Sequence, residues 1–236
     1  MGRRVISVII VIFFIVGCSV AVMPFAAELY AGRAIQFENS HKLDSAIAAY
    51  RKALQIDPLN AKYYGEIGRL YLKKAGGIAD TGLRMDAKEA YAKAIELSPS
   101  YSKYRIGWGE AESLLLRDKQ DISERELTEY IDNFKKAVES DPTNYYVNST
   151  AGYYILLFRD RIGVRDRNFA IYRMRLALEQ NPGYADQVFS CVANGLGDYK
   201  ILEKITPKTP YWDGRLRAFL RNIDKWRYGS KQQKLK

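Results

Sequence analysis

The sequence predicts an all-α solenoid of about four stacked helix pairs, preceded by an apolar N-terminal helix and closed by a C-terminal capping helix. Three observations carry this expectation. Four segments end alike, at Tyr50-Ala53-Leu54-Pro58, Tyr91-Ala94-Ile95-Pro99, Phe134-Ala137-Val138-Pro142 and Met174-Ala177-Leu178-Pro182. A mostly apolar, uncharged run occupies residues 5–27, and a basic amphipathic segment lies near the C-terminus.

The prolines are 41, 43 and 40 residues apart, a period at which each repeat is one helix–turn–helix unit stacked on its neighbours. In each copy a large residue is followed three positions later by alanine, so both lie on one helical face and a neighbouring helix can approach closely. Proline then ends the helix. Asp57, Ser98, Asp141 and Asn181 precede the prolines and suit a turn, because their short polar side chains bond nearby backbone.

These residues resemble the tetratricopeptide repeat family, in which helix A carries aromatic and small residues and helix B carries alanine, an aromatic, alanine and then proline. Tyr30, Ala34 and Phe37 match helix A of the first copy, and Ala46, Tyr50, Ala53 and Pro58 match helix B, with a turn over residues 39–44 that contains His41. Tyr64, Ile67, Gly68 and Tyr71, then Ala87, Tyr91, Ala94 and Pro99, match the second copy. The third keeps Trp108-Gly109 but has Arg105 and Glu112 where aromatics are expected, and the fourth has Asn148 beside Ala151-Gly152. A fifth helix A is expected from Ala185 to about Asn194, without a matching helix B. The resemblance implies a right-handed superhelix over residues 28–195.

The repeats exceed the family's usual length of about 34 residues. In the second copy the excess falls at residues 74–82, where glycines predict a loop. Extra residues at 116–125 and 158–168 fit either loops or longer helices.

Residues 1–27 are expected to be a membrane anchor or signal segment. A helix of that apolar length would rise roughly 34 Å against a hydrocarbon core of about 30 Å, and Arg3 and Arg4 favour a cytoplasmic N-terminus. An uncleaved anchor would make a single-pass inner-membrane protein with its solenoid in the periplasm. Ser19-Val20-Ala21 also fits a secretory cleavage site. Ile15-Val16-Gly17-Cys18 resembles a bacterial lipobox, which would make Cys18 a lipidation site and the protein a lipid-anchored envelope lipoprotein.

The formal net charge of +10 is concentrated in residues 200–236, where eleven Lys or Arg face Glu203, Asp213 and Asp224. Trp212, Leu216, Phe219, Leu220, Ile223 and Trp226 recur there at helical spacing, with Arg215, Arg217, Arg221 and Arg227 among them. Residues 196–228 are expected to cap the solenoid, followed by a basic tail at 229–236. The same arginines, with Lys231, Lys234 and Lys236, fit contact with anionic lipid or an acidic partner. No recognised nucleic-acid-binding module accompanies the charge, so nucleic acid is not an expected ligand.

Signs of catalysis in the sequence are slight. His41 is the only histidine, so any Ser-His-Asp, Cys-His or His-containing metal site would have to use it. Cys18 and Cys191 are the only cysteines, which rules out a disulfide framework, and Cys191 is expected to be a buried small hydrophobe. Neither glycine-containing segment carries a phosphate-binding pattern. No enzyme activity, cofactor or metal is expected.

Binding is the remaining role. The family's groove positions on helix A fall here on Lys62 and Arg69, Lys103 and Glu110, and Tyr146 and Tyr153. The resemblance implies a groove that would accept an acidic peptide or helix, although the family's pattern of Lys and Asn that clamps a carboxylate is not reproduced. The expected function is a non-enzymatic scaffold for protein–protein interactions at the bacterial cell envelope. A pilotin-like lipoprotein for secretion or pili, and an accessory subunit of polysaccharide synthesis or export, are the alternatives.

Overall fold

The computed structural model describes residues 23–76 and 80–233, with side chains as far as Ile223. The proposed anchor, including Cys18, lies outside the described residues except for 23–27. Among the described residues no helix is long and apolar enough to cross a membrane. The chain divides into two compact units, Met1–Pro99 and Ser100–Lys236.

In unit 1, residues 23–39 form α1, followed by α2 (Leu43–Ile56), α3 (Ala61–Ala75) and α4 (Thr81–Leu97). Ala27, Ala31 and Ala34 make a buried small-residue stripe on α1, spaced so that all three lie on one helical face. The α1–α2 turn centres on His41, whose φ of 58° is the only positive value among the described non-glycine residues. Tyr50 of α2 meets Tyr63 of α3 with ring centroids 6.1 Å apart. The second pair closes where Tyr91 of α4 lies against Gly68 of α3, leaving no room for a Cβ.

Unit 2 continues the pattern with α5 (Ser102–Arg117), α6 (Glu124–Ser140), α7 (Tyr145–Leu156) and α8 (Val164–Gln180). A short 3-10 turn (Pro182–Tyr184), α9 (Ala185–Cys191), a π turn (Val192–Leu196), α10 (Tyr199–Ile205) and α11 (Pro210–Gln233) follow. Its core contains Tyr130, Phe134, Ile155, Met174, Leu178 and Phe189, all essentially inaccessible. Gly109 of α5 receives the ring of Phe134 from α6, and Gly152 of α7 receives Met174 from α8. Glycine is required at both positions because the facing side chain occupies the space of a β-carbon.

The turns follow from the four polar residues before the prolines. Asp57, Ser98, Asp141 and Asn181 are the C-caps of α2, α4, α6 and α8. At Asp57, Ser98 and Asn181 the cap N–H returns to the alanine carbonyl of the preceding turn. Asn60 and Asn144 then brace two of these corners, each donating a 2.8 Å hydrogen bond, to Asp57 and Asp141 respectively. Helix starts are equally local. Asp80 accepts from the Leu83 N–H, and Ser123 with Glu126 forms a reciprocal capping box.

The extra residues resolve mainly into connections. Helix α3 continues through Ala75 and α4 begins at Thr81, so the loop is shorter than the glycine pattern predicts, with residues 77–79 outside the described set. Residues 118–123 and 157–163 connect α5 to α6 and α7 to α8. The expected fifth helix A starts at Ala185 but changes to a π turn at Val192.

The apolar stripe of α11 packs on unit 2. Trp212 and Leu216 are buried, while Phe219, Leu220 and Ile223 lie against the same core, with Phe189 and Phe219 centroids 5.3 Å apart. This side of the helix is therefore used for packing, as its spacing requires.

Candidate functional site

The six expected groove residues divide between the units and differ in what they do. In unit 1, Lys62 stands 3.8 Å from Glu28. Arg69 donates bidentately to Glu38 at 2.7 and 2.6 Å and also bonds Glu66 at 2.8 Å. Lys73 adds a 2.9 Å bond to Glu38. The Arg69 hydrogen bonds, then Lys73, hold the Glu38 carboxyl down at about 2, against partial desolvation that opposes them. Arg69 is correspondingly raised, chiefly by its bond to Glu38. The positive charge that the sequence places on this face is thus neutralised by carboxylates on α1 and α3.

In unit 2, Lys103 is exposed near the start of α5. Glu110, Tyr146 and Tyr153 come together at a cavity of about 220 Å³, also lined by Ser149, Thr150, Tyr154, Met174, Tyr184, Val188 and Cys191. Helix α5 supplies Glu110, and α7 supplies five of the lining residues. Residues 146, 149, 150 and 153 are spaced to present one helical face. The 3-10 turn and α9 complete the wall with Tyr184, Val188 and Cys191.

This wall is rigid because its tyrosines are tied to the core. The Tyr154 ring stacks on Phe134 at 5.7 Å with an interplanar angle of 10°. Tyr154 also lies edge-on to Tyr153, and its backbone carbonyl accepts the Tyr130 hydroxyl at 2.8 Å. Tyr184 meets Tyr145 at 5.1 Å. Gly195 permits the Tyr153 hydroxyl to pass beside the π turn, since a Cβ there would lie 2.2 Å from that oxygen.

The electrostatics centre on Glu110. Burial pushes its carboxyl above the usual carboxylate range, partly offset by a hydrogen bond from Tyr154. Tyr154 is raised by burial first and then by the neighbouring Glu110 charge. Burial also raises Tyr146, Tyr153 and Tyr184. Among the described residues no Lys or Arg lines this cavity.

Cys191 corrects the expectation of a buried residue: it is exposed. Helix α9 turns Val188 and Phe189 into the core, and the π turn that follows does the same with Val192, which leaves position 191 on the cavity side. Partial desolvation there raises its thiol, the opposite of what activates a nucleophile. Tyr154 and Tyr184 were not marked by the repeat positions. The adjacent pair Tyr153-Tyr154 and Tyr184 just after Pro182 were the available sequence signals.

The other candidates lie apart from the cavity. Arg215 is paired with Asp186 at 3.0 Å and donates to the Pro182 carbonyl at 2.8 Å. Arg217 and Arg221 are exposed, and the Arg227 side chain lies outside those described. Among the described residues no group of three His, Cys, Asp or Glu is arranged to hold a metal ion.

A family model described as tetratricopeptide repeat matches residues 28–58. No curated protein matches the sequence. Among solved structures, the chain resembles the thermophilic TPR protein TTC0263 of Thermus thermophilus, with 18% identity over 82% of this chain and 98% of that one and a TM-score of 0.57. A crystal structure of MamA has 17% identity, covers 81% of this chain and 96% of that one, and has a TM-score of 0.54. Residues 28–58 therefore match a tetratricopeptide repeat, and the described residues have an all-α, TPR-like helical-repeat fold.

Proposed function

We propose that this chain is a non-enzymatic protein-interaction scaffold, held at a bacterial cell envelope by residues 1–27 and engaging a partner through the helix A face of unit 2. The observation that carries the reading is the cavity around Glu110, Tyr146 and Tyr153. It gathers expected groove residues from α5 and α7 into one preorganised aromatic surface. Tyrosine supplies large contact area at low entropic cost, which suits peptide or helix recognition.

The apolar run at 5–27, flanked by Arg3 and Arg4, supports attachment with the repeats exported. A lipid on Cys18 would provide the alternative attachment. Two measurements test the two halves. Alkaline extraction should leave the full chain with the membrane and release a variant lacking residues 1–27; equal release of both removes the anchor. Crosslinked cells should yield a partner with the wild-type chain that is lost from Glu110→Gln, Tyr146→Ala. Persistence of every partner with that folded variant would contradict the assignment to this face.

A further inference from the structure

The cavity in unit 2 also specifies the chemistry of what enters it, given that this face is the binding surface. We propose that the cavity lined by Glu110, Tyr146, Tyr153, Tyr154 and Tyr184 receives one Lys or Arg side chain from an extended segment of a partner protein.

Charge complementarity is the first ground. Among the described residues Glu110 is the only acidic one in the lining, and no basic residue lines the cavity with it. The cation that acts on Tyr153 is Arg117, at the last position of α5 and outside the lining. Tyr154 is the side chain whose hydrogen bonding lowers the Glu110 carboxyl against burial. A carboxylate can accept several hydrogen bonds, which leaves capacity for an incoming ammonium or guanidinium.

The tyrosine rings are the second ground. Aromatic faces attract cations, and the attraction grows when water is displaced. Four tyrosines around one carboxylate combine that surface with a charge-assisted hydrogen bond. Arginine has the added advantage of a planar head that stacks on a ring.

Size is the third. At about 220 Å³ the cavity lies below the roughly 300–1,000 Å³ common for small-molecule sites, and suits one inserted side chain with the partner backbone remaining outside. Exposed Tyr146 in the lining can cover the aliphatic stem that a long basic side chain carries.

An acidic segment fits poorly. It would bring like charge to Glu110, while in unit 1 Lys62 and Arg69 already face Glu28, Glu38 and Glu66. The partner chemistry indicated by unit 2 is thus opposite in sign to that implied by the basic groove positions alone.

The test is selection of a random 12-residue displayed peptide library on the purified full chain in mild detergent. Wild type should enrich Lys or Arg at one position flanked by apolar residues. A synthetic peptide carrying the selected sequence should bind about tenfold more weakly after its basic residue becomes Gln, the scale of one desolvated cation contact. Glu110→Gln and Tyr146→Ala should each remove the enrichment without changing the melt, and Glu110→Lys should shift selection toward acidic residues. Selection of acidic or uncharged peptides by wild type, no selection at all, or cationic enrichment surviving Glu110→Gln would overturn the proposal. Co-purified partners from cells separate the outcomes: their loss from Glu110→Gln, Tyr146→Ala with no cationic preference would leave the scaffold reading standing and reject only the ligand chemistry.

Discussion

A β-carbon placed on Gly109 would lie 2.2 Å from Cζ of Phe134, inside the contact distance of any two carbon atoms. Phe134 is fully buried between Tyr130 and Tyr154, so its ring has no free direction in which to retreat. Gly109→Ala should destabilise unit 2 by about 1–2 kcal/mol, the overpacking cost less alanine's helix preference. A fall in melting temperature of several degrees is expected. Phe134→Leu in the same chain should recover part of the loss, and simple additivity of the two substitutions would contradict this contact.

Gly152→Ala should behave similarly, because its β-carbon would meet Met174 Cγ at 2.4 Å and the Ala170 carbonyl oxygen at 2.6 Å. Met174 can change rotamer but the backbone carbonyl cannot. Gly68→Ala should cost less, since the nearest atoms are those of the Tyr91 ring at 2.8–3.0 Å. Thermal melts of the three variants give the order directly.

Acid should act on unit 1 through Glu38. Its folded carboxyl titrates at about 2 in place of its ordinary 4.5, first because of Arg69. The folded form therefore binds a proton less readily than the unfolded form, and the resulting stability is complete above the unfolded value. It declines as pH falls from about 4.5 toward 2. Glu38→Gln should be less stable at neutral pH and show a shallower loss of melting temperature across that acid range.

Ser123 accepts from the Glu126 N–H at 3.3 Å while the Glu126 carboxylate accepts from the Ser123 N–H at 3.0 Å. Ser123→Ala should cost about 1 kcal/mol. Urea denaturation with an unchanged slope and a lower midpoint would confirm loss of a cap without change in compactness.

Much of this architecture was legible in local sequence. The residues before the four prolines became C-caps, His41 fell in the α1–α2 turn, and Gly68 and Gly109 took close-packing positions because each effect acts within a turn or one helix pair. Charge at the groove was less legible. Glu38 reaches Arg69 from 31 residues away, so sequence spacing along α3 could not reveal the neutralisation. Tyr184 and Cys191 joined Glu110 only through the packing of α9, and the π turn that interrupts the fifth helix A had no counterpart in the repeat pattern.

The most direct measurement of partner binding at unit 2 is site-specific photocrosslinking in cells, comparing a benzophenone amino acid at position 146 with the same group at the exposed Tyr172 on α8. A discrete protein adduct from position 146 that is absent from position 172 and reduced by Glu110→Gln is the predicted result. No adduct at 146, or the same adducts from both positions, would contradict a partner-binding site in this cavity.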